Sequence, residues 1–175
     1  VSYTTESFIY RGSSDGVHDD PVRLQSEDAR RVFLAHGAAG QAPQVAFVNY
    51  RSRNALGDVK SNIYFGGPDG FSAQRRKDIP GFRAVDAVCC DINDDGLVDI
   101  VIANSYANTA TRRPGSYVLL NSPEGFPDHP SLTLPTDQVQ GMSCADINRD
   151  GYLDLVFASI GSPDLLFFYG TADGF

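Results

Sequence analysis

Short apolar runs separated by turns, not helical stripes, organise this chain. Residues 84–90 (AVDAVCC) run apolar or alternate, and residues 98–103 (VDIVIA) are rich in β-branched side chains, both patterns of buried strands. After a polar connection, residues 117–121 and 131–134 supply two more strand-length segments. Pro68-Asp69-Gly70, Pro123-Glu124-Gly125 and Ala172-Asp173-Gly174 are hairpin chemistry, the glycine supplying the positive φ. The aromatic after each glycine (Phe71, Phe126, Phe175) is placed to cover the sheet beneath it. Helical periodicity is unconvincing throughout; residues 26–34 come nearest, and repeat alignment makes their second half a strand. No apolar run approaches the ~20 residues of a membrane helix.

The pattern repeats. Asp91-Ile92-Asn93-Asp94-Asp95-Gly96-Leu97-Val98-Asp99-Ile100-Val101 returns 55 residues on as Asp146-Ile147-Asn148-Arg149-Asp150-Gly151-Tyr152-Leu153-Asp154-Leu155-Val156. YFGGPDGF at 64–71 returns at 119–126 with the same offset and again at 168–175, and an earlier copy occupies 9–17. One period before the first acidic block, residues 44–49 align with 99–104, but the acidic positions read His36, Ala38, Gly40 and Gln44. A four-stranded unit of about 50–55 residues describes an all-β fold of propeller blades, four-stranded antiparallel sheets apolar on both faces that bury one another by stacking. The chain is expected to form a single fragment, 1–175, with units of about 9–62, 63–117 and 118–166 and a further hairpin at 167–175. These hold two, four, four and three strands, an arc of a larger propeller; a small open stack of sheets is the alternative.

Composition narrows the function. Twenty-two acids against fourteen bases give a net charge of −8, which argues against nucleic-acid binding. A 42% apolar content is enough for a core. The chain opens at Val1 and reads as a mature or excised piece without a signal peptide.

The acidic loops carry the chemistry. Asp-x-Asn-x-Asp-Gly-x-x-Asp places oxygen side chains at alternate positions of a tight turn, with glycine at the sharpest point. Asp91, Asn93, Asp95 and Asp99, with the Leu97 carbonyl, form one oxygen set; Asp146, Asn148, Asp150 and Asp154, with the Tyr152 carbonyl, form the other. Such sets cage a hard cation, Ca2+ in preference to Mg2+, at two sites. Position nine would supply the closing carboxylate, and the flanks read as strands, which argues against a helix–loop–helix hand. Three carboxylates within ~5 Å repel by roughly 3 kcal/mol per pair at an effective dielectric near 20, which a cation relieves. Two calcium ions would move the net charge from −8 to −4. A metal-free Asp/Asn turn is the alternative.

These loops, each followed by an apolar strand, resemble FG-GAP/VCBS repeats, the calcium-binding blades of integrin-α-type propellers. The hairpins at 65–71 and 169–175 fit the same family. The resemblance covers nearly the whole chain from Ile9. It implies that the ten residues just named are metal ligands, that calcium is structural, and that the protein works outside the cytoplasm (extracellular, cell-surface or periplasmic). The first unit departs from the pattern, so two sites are expected. The ligand stays open, because one scaffold hosts many functions.

A non-enzymatic module for adhesion or recognition is therefore expected. The polar connections carry Arg51, Arg53, Lys60, Arg112 and Arg113, a basic face suited to an acidic glycan or protein. The alternatives are the propeller of a secreted lyase, glycosidase or oxidoreductase, with Asp19-Asp20 and Glu27-Asp28 as acid candidates, and a lectin using Tyr50, Tyr106 and Tyr117. Gly12-Ser13-Ser14-Asp15-Gly16 matches a hydrolase elbow but sits in a repeated hairpin. His18, His36 and His129 occupy unrelated repeat positions and suggest no triad. Cys89, Cys90 and Cys144 read as small buried hydrophobes, with a Cys89–Cys144 bridge as the alternative, since those two are repeat-equivalent.

Overall fold

The structure, a computed structural model, describes residues 4–35, 42–51, 57–105, 113–160 and 162–175. It is all-β, and every strand pairing is antiparallel. β1 (Thr4–Ile9) pairs with β4 (Val22–Glu27), and between them β2 (Gly12–Ser13) and β3 (Gly16–Val17) form a small hairpin. A four-stranded meander follows: β5 (Ala29–Ala35), β6 (Gln44–Asn49), β7 (Ser61–Phe65) and β8 (Arg76–Ile79). The next repeats it with β9 (Ala84–Cys90), β10 (Asp99–Asn104), β11 (Ser116–Leu119) and β12 (Leu132–Leu134). The last has β13 (Val139–Ala145), β14 (Asp154–Ser159) and β15 (Leu166–Phe168). In chain order the described sheets hold two, two (the β2–β3 hairpin), four, four and three strands. Sheet boundaries fall out of phase with the repeat units, because units 63–117 and 118–166 each begin and end inside a third strand. Residues 26–34 contain no helix: Asp28, at φ 46°, ends β4 and lets β5 start at Ala29.

Strand periodicity explains the stacking. Successive side chains leave opposite faces of a sheet, so a strand apolar at every position must be covered twice. In β10, Ile100 and Ile102 join a core with Ala46, Val48 and Ile63 of the preceding sheet. Val101 and Ala103 point the other way, into a core with Val139, Leu155 and Phe157 of the following sheet. β6 divides likewise: Val45 and Phe47 pack with Leu24 of the first sheet, and Ala46 and Val48 with the third. Each wholly buried side chain of this size is worth about 1.5–3 kcal/mol, so adjacent sheets hold one another in place. On the last sheet Leu166 and Phe167 remain exposed, and the described sheets do not close on themselves.

The first strands lie side by side, β5 against β9 and β9 against β13. Asp86 in β9 crosses both boundaries: its carboxylate meets Arg31 Nε of β5 at 3.2 Å and accepts the Met142 N–H of β13 at 3.1 Å. At the other end of these strands the sulfurs of Cys90 and Cys144 approach to 3.1 Å as free thiols. Cys89, though repeat-equivalent to Cys144, turns to the opposite core, where burial raises its thiol pKa to about 11. Mild oxidation of the folded chain should join Cys90 to Cys144 and leave Cys89 a free thiol that alkylates once the chain is unfolded, read by non-reducing peptide mapping. A Cys89–Cys144 link would mean that β9 is displaced by one residue.

Candidate metal centre

Each acidic loop joins the first and second strands of a sheet: 91–98 between β9 and β10, 146–153 between β13 and β14. The two are near copies. The N–H groups of Asp95 and Gly96 donate to the Asp91 carboxylate at 3.0 and 2.8 Å, and those of Asp150 and Gly151 to Asp146 at 3.1 and 3.0 Å. Asp95 accepts the Leu97 N–H and Asn93 Nδ2 at 2.8 and 2.9 Å. Asp150 accepts the Tyr152 N–H and Asn148 Nδ2, both at 2.9 Å. Gly96 and Gly151 sit at φ 85° and 95°, where a side chain would be strained, so this turn requires glycine.

The ninth position does more than spacing implies. Asp99 and Asp154 are wholly buried. Asp99 accepts the N–H of Ile92 at 2.9 Å with one oxygen and that of Asn121 at 2.7 Å with the other. Asp154 accepts from Ile147 at 2.8 Å and Gly170 at 2.9 Å. One carboxylate thus fastens the loop's entry to the residue two beyond the third strand. At Gly170 the chain passes so close to the Leu153 carbonyl that a Cβ would collide with it.

The two clamps titrate in opposite directions. Burial raises the Asp99 pKa above its ordinary 3.8, and the charges of Asp95 and Asp91 add to this, against N–H donation from Asn121 and Ile92. Burial also pushes Asp154 up, but N–H donors from Gly170, Ile147 and Asn148 outweigh it, so its pKa falls below 3.8. Asp154 therefore stabilises the fold above pH 3.8 and loses that contribution as pH falls through its lowered value. Asp99 contributes most below pH 3.8 and loses it as pH rises through its raised value. A cation beside Asp99 would remove that cost.

Among the described residues, no three Asp, Glu, His or Cys groups stand together as a ready metal cluster. The loop acids face backbone N–H groups instead. The donor set nevertheless suits calcium, being oxygen throughout, and a carboxylate oxygen that accepts one N–H keeps further acceptor capacity. Asn121 Oδ1, on the residue that donates to Asp99, is buried without a partner. In the degenerate unit Gln44 replaces Asp99, its Oε1 is a buried orphan, and the Gly66 N–H, at the Asn121 position, goes to the Pro43 carbonyl at 2.9 Å. His36, Ala38 and Gly40 lie outside the described residues.

The remaining candidates do not assemble into one site. Lys60 shares a cleft with Glu27, Asp58 and Asp78, and Arg113 meets Asp137 at 2.6 Å. Arg51 borders Tyr50; Arg53, Arg112 and Tyr106 lie outside the described residues. Tyr117 is a correction to the lectin set, for it is buried in the core between the second and third sheets and cannot stack on a sugar. Asp28 pairs with Arg30 at 3.2 Å, and Asp19, Asp20, His18 and His129 are exposed. Ser13 and Ser14 lie in the β2–β3 hairpin, which leads into no helix. Spacing did not single out Asn49 and Asn104, buried at equivalent ends of β6 and β10. Asn104 accepts the Phe82 N–H at 2.9 Å and donates to the Gly115 carbonyl at 2.8 Å; Asn49 accepts from Glu27 and donates to the Lys60 carbonyl. Their shared offset of 55 was the available signal.

Residues 91–157, from the first loop to the middle of β14, match the FG-GAP-like repeat. No curated protein matches the chain. Replacing Asp99 by Ala strands two partly buried N–H donors, at about 1 kcal/mol each, so chelated D99A should lose about 2 kcal/mol in urea unfolding. The exposed Asp95→Ala should lose far less. Equal losses for the two variants would contradict the clamp.

Proposed function

With residues 91–157 an FG-GAP-like repeat, we propose that this chain is a calcium-binding β-propeller module for adhesion or ligand recognition outside the cytoplasm, in which calcium is structural. The observation that carries the reading is the duplication of one acidic loop, donor for donor, at the same place in two successive sheets. Asp91, Asn93, Asp95, Asp99 and the Leu97 carbonyl would hold one ion. Asp146, Asn148, Asp150, Asp154 and the Tyr152 carbonyl would hold the other.

The metal's work is electrostatic. Acids gathered in a tight loop repel, and at Asp99 two neighbouring carboxylates already oppose ionisation. A divalent ion turns that repulsion into attraction and holds the loop to its sheet. Rigid loops between stacked sheets leave the opposite end of the propeller free to present a binding surface. Extracytoplasmic placement is consistent with millimolar calcium there.

Titrating the chelated protein with calcium should give heat for two ions. At tenfold excess over the dissociation constant each site adds about 1.4 kcal/mol, or roughly 3–6 °C in Tm for a domain of this size. Asp95→Ala and Asp150→Ala should each remove one site. Absence of both heat and a Tm shift would overturn the reading.

A further inference from the structure

We propose that the mouth where β5, β9 and β13 begin binds a carboxylate-bearing sugar, a uronate unit of an acidic glycan, through the guanidinium groups gathered around Tyr50. Arg30, Val85 and Gln140 are the second residues of these three strands, 55 apart in sequence. They meet Tyr50 and Arg51 around a cleft of about 330 Å3. The guanidinium carbons of Arg30, Arg51 and Arg83 lie 4.5, 5.1 and 5.5 Å from the Tyr50 ring centre. Three like charges on one ring repel, and each ring contact returns only about 0.5–1 kcal/mol at an exposed site. A chain of net charge −8 nevertheless gathers them here.

Acids on the protein leave much of this charge unanswered. Asp28 pairs with Arg30 at 3.2 Å. Asp86 is engaged by Arg31 and by the N–H groups of Ala87 and Met142. Among the described residues, no carboxylate pairs with Arg51 or Arg83, and Arg83 Nε is buried with no hydrogen-bond partner. Arg30 and Arg51 line the cleft, and a planar carboxylate matches the guanidinium fork.

The cleft favours a sugar acid over an acidic peptide. Its volume accommodates a pyranose ring, whereas an Asp or Glu side chain would leave most of it empty. Gln140 Nε2 donates to Ser105 Oγ at 3.3 Å and to the Val139 carbonyl at 2.9 Å, which leaves its exposed Oε1 to accept from a ring hydroxyl. Tyr50 acts by holding the guanidinium groups, not by stacking on the sugar.

This site deepens the recognition half of the proposed function without needing calcium. It lies at the start of β9 and the acidic loop at its end, about 20 Å apart for a seven-residue strand. Calorimetry on the chelated full chain should detect an oligogalacturonate and not its methyl ester. Arg51→Gln, at an exposed position that should not disturb folding, should weaken binding about tenfold or more. Lys77→Gln, remote from the mouth, should bind as the unaltered chain does. Equal binding of acid and ester, no binding at all, or an unaffected Arg51→Gln would overturn the site, and preference for oligoglutamate would overturn the sugar assignment. Calcium heat without uronate binding would sink this site alone; uronate binding without calcium heat would sink the metal reading alone.

Discussion

A wholly buried carboxylate at the ninth position of each acidic loop holds this architecture together. Asp99 and Asp154 begin the second strands of their sheets and lie in the interior. Each reaches back to the loop's second residue and sideways to the chain beyond the third strand. Burying a charge is costly, and two backbone donors offset that cost, fully at Asp154 and only in part at Asp99. The clamp sets where the other loop oxygens stand, because the loop leaves from one end of it and returns at the other. Where Gln44 replaces the acid the corresponding N–H goes elsewhere, and the side-chain oxygen has no partner.

Stacking supplies the second constraint. Sheets covered on both faces cannot stand alone, and β6 and β10 divide their side chains between two cores each. Asp86 adds a polar link across three first strands. The two ends of the first strands thereby take different roles: acid-rich loops at one end, an arginine-rich mouth at the other.

Much of this was legible in the sequence because both signals are local and repeated. The apolar run VDIVIA and the offset of 55 lead to doubly covered strands and to recurring four-stranded antiparallel sheets. The oxygen spacing marks the loops. What escaped depends on neighbours distant in the chain. Cys89 and Cys144 are equivalent in the repeat, yet adjacent first strands are offset, so Cys90 meets Cys144. Tyr117 looks like a surface aromatic beside a polar connection, but its strand is buried on both faces. The burial of Asn49 and Asn104, and the double duty of Asp99, follow from where third strands end, which spacing does not encode.

Backbone amide exchange tests the clamp most directly. In the metal-free protein at neutral pH, the N–H groups of Ile92, Asn121, Ile147 and Gly170 should exchange only on global unfolding, as slowly as those of the central strands. Exchange of these four at the rate of the exposed loop amides would contradict the account.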